Sequence, residues 1–416
     1  MPLLGPILLV ADHDDYRLAD ALAGAGAFPL MDVSPVEAPA AIAVIDPCAV
    51  VIADAELTKS QADDIAAMLA RTTESYAPLI ARVRHAHDWS AAWTLPVAAD
   101  ASNAALVARL KSALRVRALH VKILRRAQGV AVDTSALSPT TGRDPLEDAS
   151  VLVAGRGRSY PELSIAIGER VGLIGALSLE AVAGHLQTRD IDGIVIGEGF
   201  ERALVEDLLD MLGADPRFRD LPIGVFGNVG EIDPERLPNL ERLTSDYAEV
   251  VNRMLPLVRL HALGARFKRL AAALDARGVL DPETGLLTWD AFRRDLERAI
   301  GETGVRSGAL AVARFAFESM DRRASADAAR IVARLVRGVD FAARDDDGGI
   351  FVALAEADLI HARAVARRIA SVLKHTVLTL GQEQMDPTFS LAAANSTDGA
   401  DALLARLKPT GTVAAQ

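Results

Sequence analysis

Two sets of residues in this sequence combine reactive or ion-holding groups with a spacing that matters. The stretch "RGVDFAARDDDGGIF", Arg337 to Phe351, sets an Arg-x-x-Asp pair, Arg337 and Asp340, ahead of a Gly-Gly turn that has acids before it and none after. An arginine fork offers paired N–H donors to a planar acceptor edge, and an aspartate accepts from paired N–H groups. At i and i+3 the two side chains would share one helical face. The acids Asp345, Asp346 and Asp347 cap a tight hairpin on this reading, since Asp-Gly and Gly-Gly suit a turn that needs positive φ. The second set is Asp12, with Asp14 and Asp15 close behind, and Asp54 in "VVIADAEL". Carboxylates converging there would hold Mg²⁺ and present Asp54 to a phosphoryl group, because the metal neutralises the incoming oxygens.

The elements that must position these groups follow from the apolar pattern. "PILLVAD", "AVVIAD" and "APLIARV" are short apolar runs separated by amphipathic helices, and a long helix "NAALVARLKSALRVRALHVKILRRA" follows. This alternation predicts a doubly wound parallel sheet covered on both faces, with its ligand site at the carboxyl ends of the strands. Asp12 and Asp54 fall at two such ends. A linker rich in Ser, Thr, Pro and Asp, "VDTSALSPTTGRDPLEDA", interrupts the pattern, which then restarts at "SVLVAGRG" and ends in a second long helix from "YAEVVNRM". A repeat of this length is a duplicated domain. From about residue 278 the order changes to strand, helix, hairpin, helix, strand, and two helices against a mostly antiparallel sheet predict a ferredoxin-like α+β sandwich. The expected boundaries are residues 1–128, a linker at 129–148, 149–277 and 278–416.

Composition narrows the function classes. A chain of 416 residues is too long for one core and suggests about three domains. It has no apolar run long enough to span a membrane and no signal-peptide pattern at its start, which predicts a cytoplasmic protein without membrane insertion. The net charge of −11 argues against nucleic-acid binding on a broad basic face. Cys48, the only cysteine, sits at a strand start and reads as a core thiol. His85 and His87 read as loop residues, and Trp89 and Trp93 as packing residues.

The acids of the first repeat resemble the receiver domain of two-component response regulators. Asp12 matches one of that family's metal acids and Asp54 its phosphoacceptor, while Ala11 replaces the other acid. Val83 stands at the hydroxyl position of strand four, and Leu95 replaces the lysine before Pro96. The resemblance implies Mg²⁺ at Asp12 and Asp54. In the second repeat Gly155 and Arg156 replace the acids, and the acceptor position falls near Gly197, beside Glu198. That copy reads as a packing or dimerisation domain.

"DPETGLLTWDAF" resembles the opening motif of GGDEF domains, the diguanylate cyclases. Asp281, Thr284, Gly285 and Leu286 match it, whereas Glu283 and Trp289 depart. Receiver, receiver, GGDEF is the order of the PopA/PleD-type response regulators, and this resemblance spans nearly the whole chain. Cyclisation in the family needs two metals held on carboxylates. Here Ala313 or a near neighbour takes the metal position of the first strand, and the signature becomes Asp347-Gly348-Gly349-Ile350-Phe351 with one extra hairpin residue. The connection after "FESMD" is also shortened. The resemblance therefore implies a catalytically degenerate cyclase relative and no enzyme activity.

In the same family the Arg-x-x-Asp is the inhibitory site for cyclic di-GMP, whose guanine edges suit the fork and the carboxylate. The resemblance carries that ligand to Arg337 and Asp340, with Arg368 completing the site by alignment and Arg367 one step away; Arg298 reads as a surface arginine, with reach to a neighbouring domain's ligand as the alternative. It further implies a homodimer through the receiver domains, cell-cycle control with recruitment to a cell pole, and service as an adaptor that delivers a replication regulator to the ClpXP protease. The rival readings are an active diguanylate cyclase and a phosphorylation-driven scaffold that ignores nucleotide.

Overall fold

The computed structural model describes residues 4–11, 16–53, 57–73, 75–84, 93–127, 143–157, 159–227, 229–230, 232–243, 246–276, 278–306, 309–317, 322–336, 340–355, 357–374, 387–395 and 398–407. Its contacts divide the chain into two units, Met1–Ala183 with Ile191–Lys268, and Gly184–Asp190 with Arg269–Gln416.

In the first unit, strands β1 (Leu4–Val10), β2 (Phe28–Val33), β3 (Ala49–Ile52), β4 (Leu79–Val83) and β5 (Thr94–Ala98) pair in parallel in the order β2-β1-β3-β4-β5. Helices α1 (Tyr16–Gly24), α2 (Ala38–Ile45), α3 (Lys59–Thr72) and α4 (Asn103–Ala127) connect and follow them. This is a doubly wound order. The apolar runs explain it: Ile7 to Val10 and Ala49 to Ile52 are buried on both faces, as parallel strands between two helical layers must be. Thr58 opens α3 with a capping box, its hydroxyl accepting from the Gln61 N–H while the Gln61 amide oxygen accepts from the Thr58 N–H. Cys48 is buried as expected, and burial pushes its thiol pKa up.

A second five-stranded parallel sheet follows: β6 (Ser150–Ala154), β7 (Gly172–Ala176), β8 (Gly193–Ile196), β9 (Ile223–Phe226) and β10 (Leu240–Leu243), in the order β10-β9-β8-β6-β7. Read from β7, this is the order of the first sheet. Its helices are α5 (Ser159–Gly168), α6 (Leu179–Thr188), α7 (Arg202–Ala214) and α8 (Tyr247–Asp275). A buried ion network joins α4 to this sheet. Arg109, 5% exposed, donates to the carbonyls of Pro96 and Pro238 and to the carboxylate of Glu241, which also accepts from Arg253 at 3.1 Å. Two guanidiniums around one buried acid make that acid costly to remove.

The second unit carries an antiparallel sheet of β11 (Leu310–Ala316), β12 (Phe341–Arg344), β13 (Ile350–Ala355) and β14 (Thr388–Ala393), in the order β12-β13-β11-β14. Helices α9 (Trp289–Arg306), α10 (Arg322–Leu335), α11 (Leu359–Lys374) and α12 (Ala400–Ala405) accompany it. The run β11-α10-β12-β13-α11-β14 has the ferredoxin-like connection and strand order. Alternate residues of β11 face opposite cores: Ala311, Ala313 and Phe315 pack with α10 and α11, and Leu310 and Val312 with α9 and α12. The sheet is thus covered on both sides, one helical layer more than the two-helix sandwich expected. Among the described residues no helix is long and apolar enough to cross a membrane.

Candidate functional site

The hairpin between β12 and β13 is a three-residue loop. The Asp345 N–H donates to the Gly349 carbonyl at 2.9 Å, and the Gly348 N–H to the Asp345 carbonyl at 3.1 Å. Gly348 has φ +81°, the left-handed geometry this turn requires. Asp345 does the capping expected of the acids, accepting from the Gly349 N–H at 2.6 Å, while Asp346 and Asp347 stand exposed. Burial pushes the Asp345 carboxyl up, against the pull of the Gly349 N–H and of Arg314.

The opening motif folds into a turn that closes on itself. The Asp281 carboxylate accepts from the Glu283 N–H at 2.9 Å and from the Thr284 hydroxyl at 2.6 Å, and Gly285 has φ +77°. The residue after Leu286, Leu287, then bridges to Ala343 of β12. This turn sends Glu283 toward the hairpin. Its carboxylate accepts from Arg344 at 2.7 Å and from Arg322, and its backbone carbonyl accepts from Arg330 at 3.0 Å. Around these groups lies a cavity of about 550 Å³, lined among others by Asp281, Trp289, Arg322, Arg344 and the hairpin acids. Its two arginines already share an acid of the same chain. Sequence reasoning noted Glu283 as a departure from the motif but missed the Glu283–Arg322–Arg344 cluster, because both arginines lie far along the chain.

Metal chemistry at this hairpin would need carboxylates on β11 and after the glycines. Ala313 is 1% exposed between Val352 and Leu391, and Ile350 and Phe351 are core residues. Among the described residues no group of three or more His, Cys, Asp or Glu side chains is placed to hold a metal ion. The described residues at this hairpin do not supply the carboxylates of a two-metal centre; Glu318 and Asp321 lie outside them.

Of the Arg-x-x-Asp pair only Asp340 is described. Helix α10 ends at Leu335, and Asp340 lies beyond it, one residue before β12. The Asp340 carboxylate accepts from the Ala355 N–H at 2.9 Å and ties the start of β12 to the end of β13. Arg337 itself lies outside the described residues, as does the connection at 318–321. Arg367 and Arg368 are exposed on α11, and Arg298 is a surface residue 3.4 Å from Asp295.

In the first unit Asp12, Asp14, Asp15, Asp54, His85, His87 and Trp89 lie outside the described residues. Val83 and Leu95 are core side chains of β4 and β5. Trp93 packs as expected, 6.0 Å from the Tyr76 ring and 5.6 Å beneath the Arg259 guanidinium. At the corresponding end of the second sheet, Tyr160 fills the space that glycines leave. A Cβ on Gly155 would fall 2.9 Å from its ring and one on Gly175 2.4 Å from its hydroxyl. Glu198 there accepts from Ser159 at 3.1 Å, an arrangement suited to closing a loop.

No family model matches this chain, and no curated protein is similar to it. Part of it is similar to solved GGDEF structures. The coiled coil and GGDEF domain of DgcB from Caulobacter crescentus, in complex with c-di-GMP, is 16% identical over 34% of this chain and 85% of that one, with a TM-score of 0.29. A sensory box/GGDEF family protein from Caulobacter crescentus CB15 is 24% identical over 31% and 92%, with a TM-score of 0.28. The FimX GGDEF domain from Pseudomonas aeruginosa is 17% identical over 31% and 88%, also at 0.28.

Proposed function

We propose that the chain is a non-catalytic receptor for cyclic di-GMP that passes its ligand state to protein partners. One contrast within the second unit carries the reading. Arg322 and Arg344 are both bonded to the Glu283 carboxylate beside a hairpin with no acid after its glycines, whereas Arg367 and Arg368 remain exposed on α11. An exposed arginine pair keeps its forks available to a guanine edge and a phosphate. Arg337 and Asp340 supply the remaining contacts, with Asp340 positioned by β13 rather than by a helix. Residues 278–416 form the receptor domain; residues 1–128 and 149–277 form two receiver-like domains joined by 129–148. Asp54, with Mg²⁺ on Asp12 and Asp54, is the phosphoacceptor, and the second copy serves dimerisation. On the family resemblance the output is that of a cytoplasmic adaptor, recruited to a cell pole, bringing a replication regulator to ClpXP.

Incubation of the full chain with GTP and Mg²⁺ tests the non-catalytic half of this reading. No dinucleotide product is expected. Product that disappears in Asp346→Asn or Asp347→Asn would overturn it and make the chain a cyclase.

A further inference from the structure

Helix α7 presents apolar surface and a charge that its surroundings leave unmatched. Leu204 and Met211 are 50% and 46% exposed, and the exposed Asp207 lies between them on the same face, three residues after one and four before the other. The neighbouring acids of α7 are satisfied within the unit. Glu206 accepts from Arg202 at 2.8 Å and from the Gly230 N–H at 2.7 Å, and Asp210 accepts from Arg236 at 3.0 Å. Asp207 has no such cation among the described residues.

Helix α11 presents the counterpart. Its inner side chains, Ala362, Ala366, Ile369 and Leu373, are buried in the core of the second unit. Outside that face Leu359 and Ile360 are 47% and 79% exposed, and Arg363 stands three residues after Ile360, next to the exposed Ala364. The 16 residues of α11 include no acid, and Arg363 has no carboxylate partner among the described residues. The outer face of an amphipathic helix is ordinarily polar throughout. Bare aliphatic side chains beside an unmatched charge instead mark a contact surface.

We infer that these two faces meet: α7 of one copy docks on α11 of a second copy. Their spacing is the same, an apolar side chain followed three residues later by a charge, and the charges are opposite. In a parallel pairing Leu204 meets Ile360 and Asp207 meets Arg363. In an antiparallel one Met211 meets Ile360, and Asp207 falls beside Ala364 and Arg363. Either way an apolar contact excludes water next to an ion pair, which fixes the partner's register. A net charge of −11 makes two copies repel at a distance, and a helix without acids reverses this locally. Each copy carries one face of each kind, so a twofold arrangement uses the contact twice. The inference rests on the dimerisation reading of the second repeat and names its surface; Arg363 is not among the arginines assigned to cyclic di-GMP.

Sedimentation velocity of the full chain, over a range of concentrations, reads the contact. The wild type should associate, and Asp207→Arg and Arg363→Asp should each weaken association at least tenfold, because each sets like charges together. Both positions are exposed, so melting curves should stay as in the wild type. Mixing the two variants should restore association, since each then offers the other an opposite charge at both contacts; a contact inside one chain cannot do this. A wild type that stays monomeric would overturn the inference together with the dimerisation reading. Association unchanged in both single variants, or a mixture as weak as its components, would overturn the inference alone.

Discussion

Replacing Glu283, a departure from the GGDEF opening motif, by leucine should both weaken the second unit and create an anion site in it. The Glu283 carboxylate accepts from Arg344 at 2.7 Å with side chains 23% and 19% exposed, and from Arg322, which is 49% exposed. A hydrogen bond to a charged group is worth roughly 1.5–3 kcal/mol when half-buried, and an exposed partner adds little because solvent screens it. The loss should total about 2 kcal/mol, or a fall of about 4–8 °C in Tm for a unit of this size. Trp289, which lines the cavity, reports that transition by fluorescence once Trp89 and Trp93 are changed to Phe. With their shared acid gone, Arg322 and Arg344 should take up inorganic phosphate, and phosphate at ten times its Kd should restore about 1.4 kcal/mol. A variant as stable as the wild type and indifferent to phosphate would refute the view that Glu283 neutralises this cavity.

Three further outcomes follow from the same geometry. Glu241→Gln leaves Arg109 buried without its acid and Arg253 with Glu249 alone, and denaturant titration should show a loss of about 3–5 kcal/mol in the first unit. Gly348→Ala puts a side chain at φ +81° and its Cβ 3.3 Å from the Ser325 hydroxyl, which should lower the melting transition of the second unit by about 1–2 kcal/mol. Asp345 gives a pH signature: burial raises its folded pKa above the unfolded value, so its contribution is fully present below the unfolded pKa and is lost as pH rises through the folded one. Asp345→Asn, neutral at every pH and still able to accept from the Gly349 N–H, should match the wild type below the unfolded carboxylate pKa of about 3.9 and exceed it in stability near pH 7, as read from denaturant midpoints across that range.

What could be read from the sequence was what local pattern determines. The runs "ILLV" and "AVVI" announced strands because both faces of a parallel sheet are buried, and the β11 to β14 order followed from alternating strands and amphipathic helices. Edge strands were harder to see. Phe28–Val33 carries Pro29 and Asp32 and is largely exposed, and Leu240–Leu243 has an acid and an arginine at its centre because Glu241 belongs to a buried ion network. In the second unit the helix expected to reach Asp340 does not do so: α10 spans Arg322–Leu335, and Asp340 stands one residue before β12, which pairs with β13. The motif letters were visible, but the role of Glu283 was not: its arginine partners lie 39 and 61 residues downstream, and only the fold brings them together.

Calorimetric titration of cyclic di-GMP into the wild type and into Arg337→Ala, with GTP as control, tests the central claim most directly. The account predicts micromolar binding to the wild type, roughly 8 kcal/mol, no comparable binding of GTP, and a loss of ~1.5–3 kcal/mol in the variant, the range for a hydrogen bond to a charged group. A wild type that takes up no cyclic di-GMP, or a variant that binds it equally well, would contradict the account and reduce Arg337 and Asp340 to structural residues.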